Sequence, residues 1–214
     1  MLPFAPEGYP FVLIPATAGI FAWIFGYPQP AIVLFVVAMF CVAFFRDPAR
    51  RSDAPADAVL APADGKVLSV GPSPAAPAGL GLPQQVSIFM SPADVHVNRA
   101  PIAGSVREVS WRPGRKFPAY RDKASELNEH SFVVIDGAAV TVAYKQIAGS
   151  IARRVVCDLH VGDNVTRGQR VGIIKFSSRV DLFLPAGATV TAKAGQRCRA
   201  GETVVAHLPG SPTP

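Results

Sequence analysis

The sequence predicts a mainly β protein behind an N-terminal apolar helical hairpin, and three observations lead there. Between Met1 and Phe45 the only charged residue is Glu7, whereas Arg46, Arg50 and Arg51 follow closely. After the polar linker RDPARRSDAPADA the helical period disappears, and short β-branched runs alternate with glycine-bearing turns. Within that β region two pairs of glycine-spaced strings repeat, as expected of turn–strand–turn units. With 214 residues, half of them hydrophobic, the chain can bury one good core, and any second compact domain must be small.

The first element is the hairpin. Its apolar runs, FVLIPATAGIFAWIF (Phe11–Phe25) and AIVLFVVAMFCVAFF (Ala31–Phe45), are separated by GYPQP. At about 1.5 Å per residue each reaches about 22 Å, less than the ~30 Å hydrocarbon core of a bilayer. A pair of short transmembrane helices and a re-entrant hairpin both fit, and a buried hairpin of a soluble fold is the bland alternative. Either membrane form returns the chain to its starting side, and the arginine cluster puts that side at the cytoplasmic face of the cell membrane. No basic segment precedes the first run, which argues against a cleaved signal peptide. Residues 1–48 are therefore expected as a membrane-anchoring hairpin and residues 49–214 as a β-rich domain. A net charge of +6 suits an anionic bilayer surface better than nucleic acid once an apolar anchor is present. Cys41, Cys157 and Cys198 form no paired motif, which fits a reducing compartment.

The strands come next, about nine or ten by their β-branched runs. They include QVSIFM, SVREVSW, SFVVID, AVTVAY, RVGIIKF and VDLFL, with PSPAAPAGLGLP (Pro72–Pro83) as a low-complexity loop. GDNVTRGQRVGII (Gly162–Ile174) and GQRCRAGETVVAH (Gly195–His207) share the pattern G-x-x-[VC]-x-x-G-x-x-V. This pattern resembles the barrel-sandwich halves of biotinyl- and lipoyl-carrier domains. The lysine hairpin modified in those carriers is absent, so the resemblance implies the scaffold and not the carrier function. A fainter repeat joins APADGKV (Ala61–Val67) to APIAGSV (Ala100–Val106) as A-P-x-x-G-x-V. It accounts for one of two copies of IAGS, Ile102–Ser105, by turn chemistry alone; the other, Ile147–Ser150, has no such partner.

Standard hydrolase, nucleotide and metal signatures fail. Neither IAGS copy completes G-x-S-x-G, and H-E-x-x-H, the P-loop and G-x-G-x-x-G before a helix are all missing. Asp94 and His96 form a lone D-x-H that no second Cys/His cluster completes, so no metal is expected. On the residues alone the bland reading of His96 is a polar strand residue. His130, His160 and His207 carry no motif and are expected at the surface or in structural roles.

Taken in order, APADGKV, FMSPADVHVNRAP, PGRKFPAYRDKASELNEHS, YKQIAGSIARRVV and IIKFSSRVDLFLP closely resemble the shorter subclass of pyruvoyl-dependent phosphatidylserine decarboxylases, from the anchor to about Pro185. The resemblance implies a proenzyme that cuts itself between Gly149 and Ser150. Met1–Gly149 would remain as a β chain, and Ser150 would become the N-terminal pyruvoyl group of an α chain, Ser150–Pro214, the two staying together as a heterodimer. It further implies that Ser150 is the nucleophile for cleavage, His96 the general base and acid, and Asp64 the residue that orients His96. Phosphatidylserine would form a Schiff base with the pyruvoyl carbonyl and leave as phosphatidylethanolamine and CO2, a step of phospholipid biosynthesis. Such residue types suit the chemistry, since a serine attacking a backbone carbonyl needs a base and an approach unshielded by a side chain. In the longer subclass a second histidine follows three residues after the first, where this chain has Arg99. Ser177 stands where a glycine is expected. Arg115, Lys116 and Lys123, in the polar stretch Trp111–His130, are candidates for the lipid phosphate or for a solvated surface. Asn128 and Glu129 match the family string with no role evident from sequence. Two other readings stay open: a pyruvoyl-dependent decarboxylase of a soluble amino acid, and a membrane-tethered barrel-sandwich adaptor without catalysis. The assembly state beyond the heterodimer is left open.

Overall fold

A computed structural model describes residues 4–73, 79–115, 117–119, 124–149, 154–176 and 178–209. The chain divides into two compact units, Met1–Ala49 and Arg50–Pro214.

In the first unit a 3-10 turn, Pro6–Gly8, leads into α1 (Tyr9–Ile24), and α2 (Pro28–Phe44) returns after a turn at Gly26 with φ of +81°. Helical structure begins several residues before Phe11 because a proline in the first turn loses no intrahelical hydrogen bond. Pro6–Ile24 spans 19 residues and is long and apolar enough to cross a membrane, while Pro28–Phe44 is shorter. The helices meet through small residues, with Gly19 on α1 and Ala31, Ala38 and Cys41 on α2 all buried. A Cβ on Gly19 would stand 2.9 Å from the Phe35 ring. Large apolar side chains point away from this seam: Ile14, Phe21, Ile24, Val36 and Met39 are all exposed. So large an apolar surface suits association with a membrane or with a protein partner.

The second unit is mainly β. Its strands are β1 (Ala58–Leu60), β2 (Gly65–Pro72), β3 (Gln84–Met90), β4 (Val97–Arg99) and β5 (Gly104–Arg112), followed by a one-turn helix, α3 (Ala124–Leu127). Then come β6 (His130–Asp136), β7 (Thr141–Ala148), β8 (Arg154–Cys157), β9 (Asn164–Val165), β10 (Arg170–Lys175), β11 (Ser178–Leu184), β12 (Thr189–Val190), β13 (Arg197–Cys198) and β14 (Val204–His207). The excess over the sequence expectation lies in strands of two or three residues, too short for an alternating pattern to register. An eight-stranded antiparallel sheet runs β13-β2-β3-β11-β7-β6-β5-β9, with smaller sheets β1-β14-β12 and β4-β10-β8.

One face of the large sheet holds the main core, including Val67, Val86, Ile88, Val133, Ile135, Tyr144, Val180 and Leu182. The other face is buried at its centre too, where Phe183 packs with Leu82, Val134 and Ala143. Strand β11 is consequently buried at every position, its polar residues Ser178, Arg179 and Asp181 included.

Both sequence repeats have a structural counterpart. Gly162, Gly168, Gly195 and Gly201 all adopt positive φ, between +72° and +92°, which favours glycine. Between each pair sits one short strand, β9 or β13. The A-P-x-x-G-x-V segments receive these strands in the same way: Gly65 pairs with Cys198 and Gly104 with Val165. The backbone bonds repeat as well. Gly201 N–H donates to Ala61 O and Gly168 N–H to Ala100 O, at 2.9 Å each, and the N–H groups of Gly195 and Gly162 donate to Val67 O and Val106 O at 2.8 Å each. The halves therefore wrap alike and cross at Gly168 and Gly201, where a Cβ on Gly201 would lie 3.4 Å from Gly168 Cα.

Candidate active site

The turn SPAD, Ser91–Asp94, is closed by its own aspartate: Asp94 Oδ2 accepts from Ser91 N–H at 2.8 Å and from Ser91 Oγ at 2.6 Å. Arg197 reaches the other oxygen at 3.2 Å. The Asp94 side chain thus shapes the turn, and its backbone carbonyl lies 3.0 Å from His96 Nδ1. A carbonyl only accepts, so Nδ1 carries the proton and Nε2 is the basic nitrogen of the neutral ring. His96 is fully buried, and Ile174 N–H donates to its carbonyl at 3.3 Å.

Asp64 sits in the turn of the first A-P-x-x-G-x-V segment. Its Oδ1 accepts from Ala200 N–H at 2.7 Å, and its Oδ2 pairs with Arg50 at 2.9 Å, with Glu202 on the other side of the same guanidinium at 3.1 Å. Burial pushes the Asp64 carboxyl above its ordinary value; the nearby Asp94 carboxylate adds to this, while Ala200 N–H and Arg50 pull the other way. The Cys198 thiol is pushed up to about 12 by burial and by the charges of Asp64 and Asp94. Asp64, Asp94 and Cys198 therefore share one electronegative corner, with Asp94 two residues before His96 along the chain. The acceptor seen at His96 Nδ1 is the Asp94 carbonyl, a contact with no side-chain signature.

Strand β7 brings the second IAGS copy to this end of the sheet. Its last residue, Ala148, pairs with Ser178, which pairs with Met90 at the end of β3. Two residue pairs along, Gln146 Nε2 donates to Asn98 Oδ1 at 2.8 Å and Gln146 Oε1 accepts from Ser131 Oγ at 2.6 Å. Asn98 lies two residues after His96, on the same side of the extended chain, so these buried amides bring the His96 segment against the end of β7. Gly149 follows Ala148; Ser150 lies outside the described residues.

The remaining candidates separate. Arg115 is exposed, and its backbone bridges to Asn128. Lys116, Lys123 and Ser177 lie outside the described residues. Ser105, in the first IAGS copy, is exposed on β5 opposite Asp136 and Asn164. His207 contacts Asp57 at 2.8 Å and His160 is exposed. His130 is buried, its Nδ1 donates to Asn128 O at 2.8 Å, and burial lowers its pKa. Sequence reasoning passed over a buried pair on the far face of the sheet: Arg179 holds Asp181 at 2.6 Å, and Asp181 accepts from Ser125 Oγ of α3, docking the stretch before β6. A charged pair inside a strand is the only sequence signal for it.

A family profile described as phosphatidylserine decarboxylase matches residues 37–206. The chain belongs to the phosphatidylserine decarboxylase family. Relatives named phosphatidylserine decarboxylase proenzyme agree along nearly the full length of both chains. That of Magnetococcus marinus is 44% identical, covering 96% of this chain and 95% of its own. That of Trichlorobacter lovleyi is 43% identical over 95% of each chain, and that of Solibacter usitatus 44% over 90% of each. Membership in the phosphatidylserine decarboxylase family makes this an enzyme lineage and gives the corner around His96, Asp64 and Gly149 a chemical context.

Proposed function

We infer that this chain is a proenzyme that cleaves itself between Gly149 and Ser150 and then converts phosphatidylserine to phosphatidylethanolamine and CO2. The observation that carries the reading is His96, with Nδ1 committed to the Asp94 carbonyl, in a segment packed against the end of β7 one residue before Gly149. In self-cleavage Nε2 takes the proton of Ser150 Oγ as it attacks the Gly149 carbonyl, exchanging the Gly149–Ser150 amide for an ester. Elimination of the Gly149 carboxylate then breaks the chain and leaves a dehydroalanine at residue 150, and hydrolysis of its imine tautomer by one water releases ammonia and supplies the ketone oxygen of the pyruvoyl group. Asp64 supplies buried negative charge that favours the imidazolium.

The residues suit a pyruvoyl group: it derives from the chain itself, and the strand that leads to the bond releasing it is anchored by Ser178 and Asn128. When present, this group supplies an electron sink for the carbanion left by departing CO2. His96 then serves as the proton donor. Arg115, Lys116 and Lys123 are assigned to the lipid phosphate, and the N-terminal hairpin to anchorage at the cytoplasmic face of the membrane. Strand pairing supports a pair of products that stays together. An α chain starting at Ser150 would contribute β11, which is hydrogen-bonded on one side to β3 and on the other to β7 of the β chain.

Denaturing mass analysis of the purified protein tests cleavage, expecting two chains split at 149/150. Vesicles of phosphatidylserine, and free serine as comparator, test the substrate. An intact 22.6 kDa chain in active protein would sink self-processing. Equal turnover of free serine would sink the lipid assignment.

A further inference from the structure

Two consecutive residues to which the sequence assigns no role hold both sides of the segment that contains the proposed cleavage bond. Asn128 is almost wholly buried. Its Oδ1 accepts from Phe117 N–H at 2.8 Å, which fixes the orientation of the amide. Nδ2 then donates to Phe117 O and to Ala148 O, both at 2.7 Å. Both donors of this side chain and one lone pair of its oxygen are thereby used. Glu129 follows it. Its backbone carbonyl accepts from Ala148 N–H at 2.9 Å, and its Oε1 accepts from Val155 N–H at 3.3 Å and from Trp111 Nε1 at 3.4 Å.

The direction of Val155 follows from the sheet. Ile174 sends its N–H to the His96 carbonyl, so in the pair Ile174–Val155 the Val155 N–H points away from β10. It would be an open strand edge without the Glu129 carboxylate. Asn128 and Glu129 are themselves pinned, because Arg115 N–H donates to Leu127 O and Glu129 N–H to Arg115 O.

We propose that Asn128 and Glu129 are positioning residues for self-cleavage, a clamp that fixes the carbonyl preceding Gly149 on one side and the Val155 amide on the other. The proposal rests on the self-cleavage reading above. An attack of Ser150 Oγ on the preceding carbonyl requires the two atoms to be held within about 3.5 Å and aligned. Pinning Ala148 upstream and Val155 downstream restrains both flanks of that bond, and both residues act through those backbone contacts. Asn128 supplies donors that only a primary amide offers at that spot, and Glu129 supplies an acceptor that glutamine reproduces.

The test follows conversion of full-length precursor, synthesised in the presence of liposomes, by intact mass against time. Asn128→Asp is nearly isosteric, loses both donors and is expected to slow conversion at least about tenfold. Glu129→Ala is expected to slow it about threefold to tenfold, with Glu129→Gln recovering most of the rate. Melting curves in a Ser150→Ala background report whether each variant folds. Should Asn128→Asp fail to fold, the Glu129 pair decides alone. A folded Asn128→Asp or Glu129→Ala precursor that converts at the wild-type rate overturns the clamp, as does Glu129→Gln converting as slowly as Glu129→Ala. Wild-type precursor that never converts removes the self-cleavage reading itself, a different result from unslowed variants beside a cleaving wild type.

Discussion

The two A-P-x-x-G-x-V segments are built alike and used differently. Each receives a two-residue strand from a glycine-spaced repeat, with equivalent backbone bonds to Ala61 and Ala100. At the fourth position, however, one has Asp64 and the other Ala103. Asp64 gathers the Ala200 amide and the Arg50 guanidinium into a buried corner beside the Asp94 turn. At the sixth position Ser105 is exposed, in register with Asp136. A duplicated scaffold thus supplies two similar sockets, and the proposed chemistry draws on the one where a single side chain brings charge. The two IAGS copies divide likewise: the first is part of the scaffold, and the second runs off the end of β7 into the proposed cleavage bond.

The strongest way to break this comparison is at the serines. Ser150→Ala is expected to leave a full-length, inactive chain, while Ser105→Ala cleaves as wild type does; both are read by denaturing mass analysis. Cleavage in the first variant would move the site elsewhere. Next comes the acid. Asp64→Ala leaves Arg50 without its buried carboxylate and the Ala200 N–H without its acceptor, and in a Ser150→Ala background should lower unfolding stability by about 3 kcal/mol in denaturant titration. In a chain that keeps Ser150, Asp64→Ala is expected to slow cleavage, and Ala103→Asp, in the equivalent socket, should not restore it.

The crossing glycines sharpen the symmetry itself. Gly201→Ala meets both a φ of +72° and Arg99 Cδ at 2.8 Å, whereas Gly168→Ala meets a φ of +80° with backbone no nearer than 3.6 Å. Each is expected to cost about 1–2 kcal/mol in thermal melts, with Gly201 the larger. The smallest effect is pH dependence. Because burial raises the Asp64 pKa, the folded chain binds that proton more tightly than the unfolded chain does. The corresponding stability is present below the unfolded pKa and is lost as pH rises through the folded one. In Ser150→Ala precursors, the melting temperature of wild-type Asp64 minus that of Asp64→Asn should therefore fall as pH rises above the ordinary aspartate range. A flat difference would show that ionising Asp64 costs the fold nothing.

Much of this architecture was legible in the residues. The apolar hairpin showed in its lack of charge, the β domain in its branched runs, and the repeat turns in glycines that the backbone places at positive φ, because composition and glycine spacing report local conformation directly. Ser150, Gly149, His96 and Asp64 were reached through motif strings rather than through geometry. What only the tertiary structure decided is which groups meet. The acceptor at His96 is a backbone carbonyl, invisible in a string of side chains. Arg50 and Ala200 reach Asp64 from distant parts of the chain. Asn128 and Glu129 acquire a role only when strand pairing brings Ala148 and Val155 to them. Hydrogen bonds between residues far apart in sequence depend on register and burial, and those are properties of the folded sheet rather than of any short stretch of the chain.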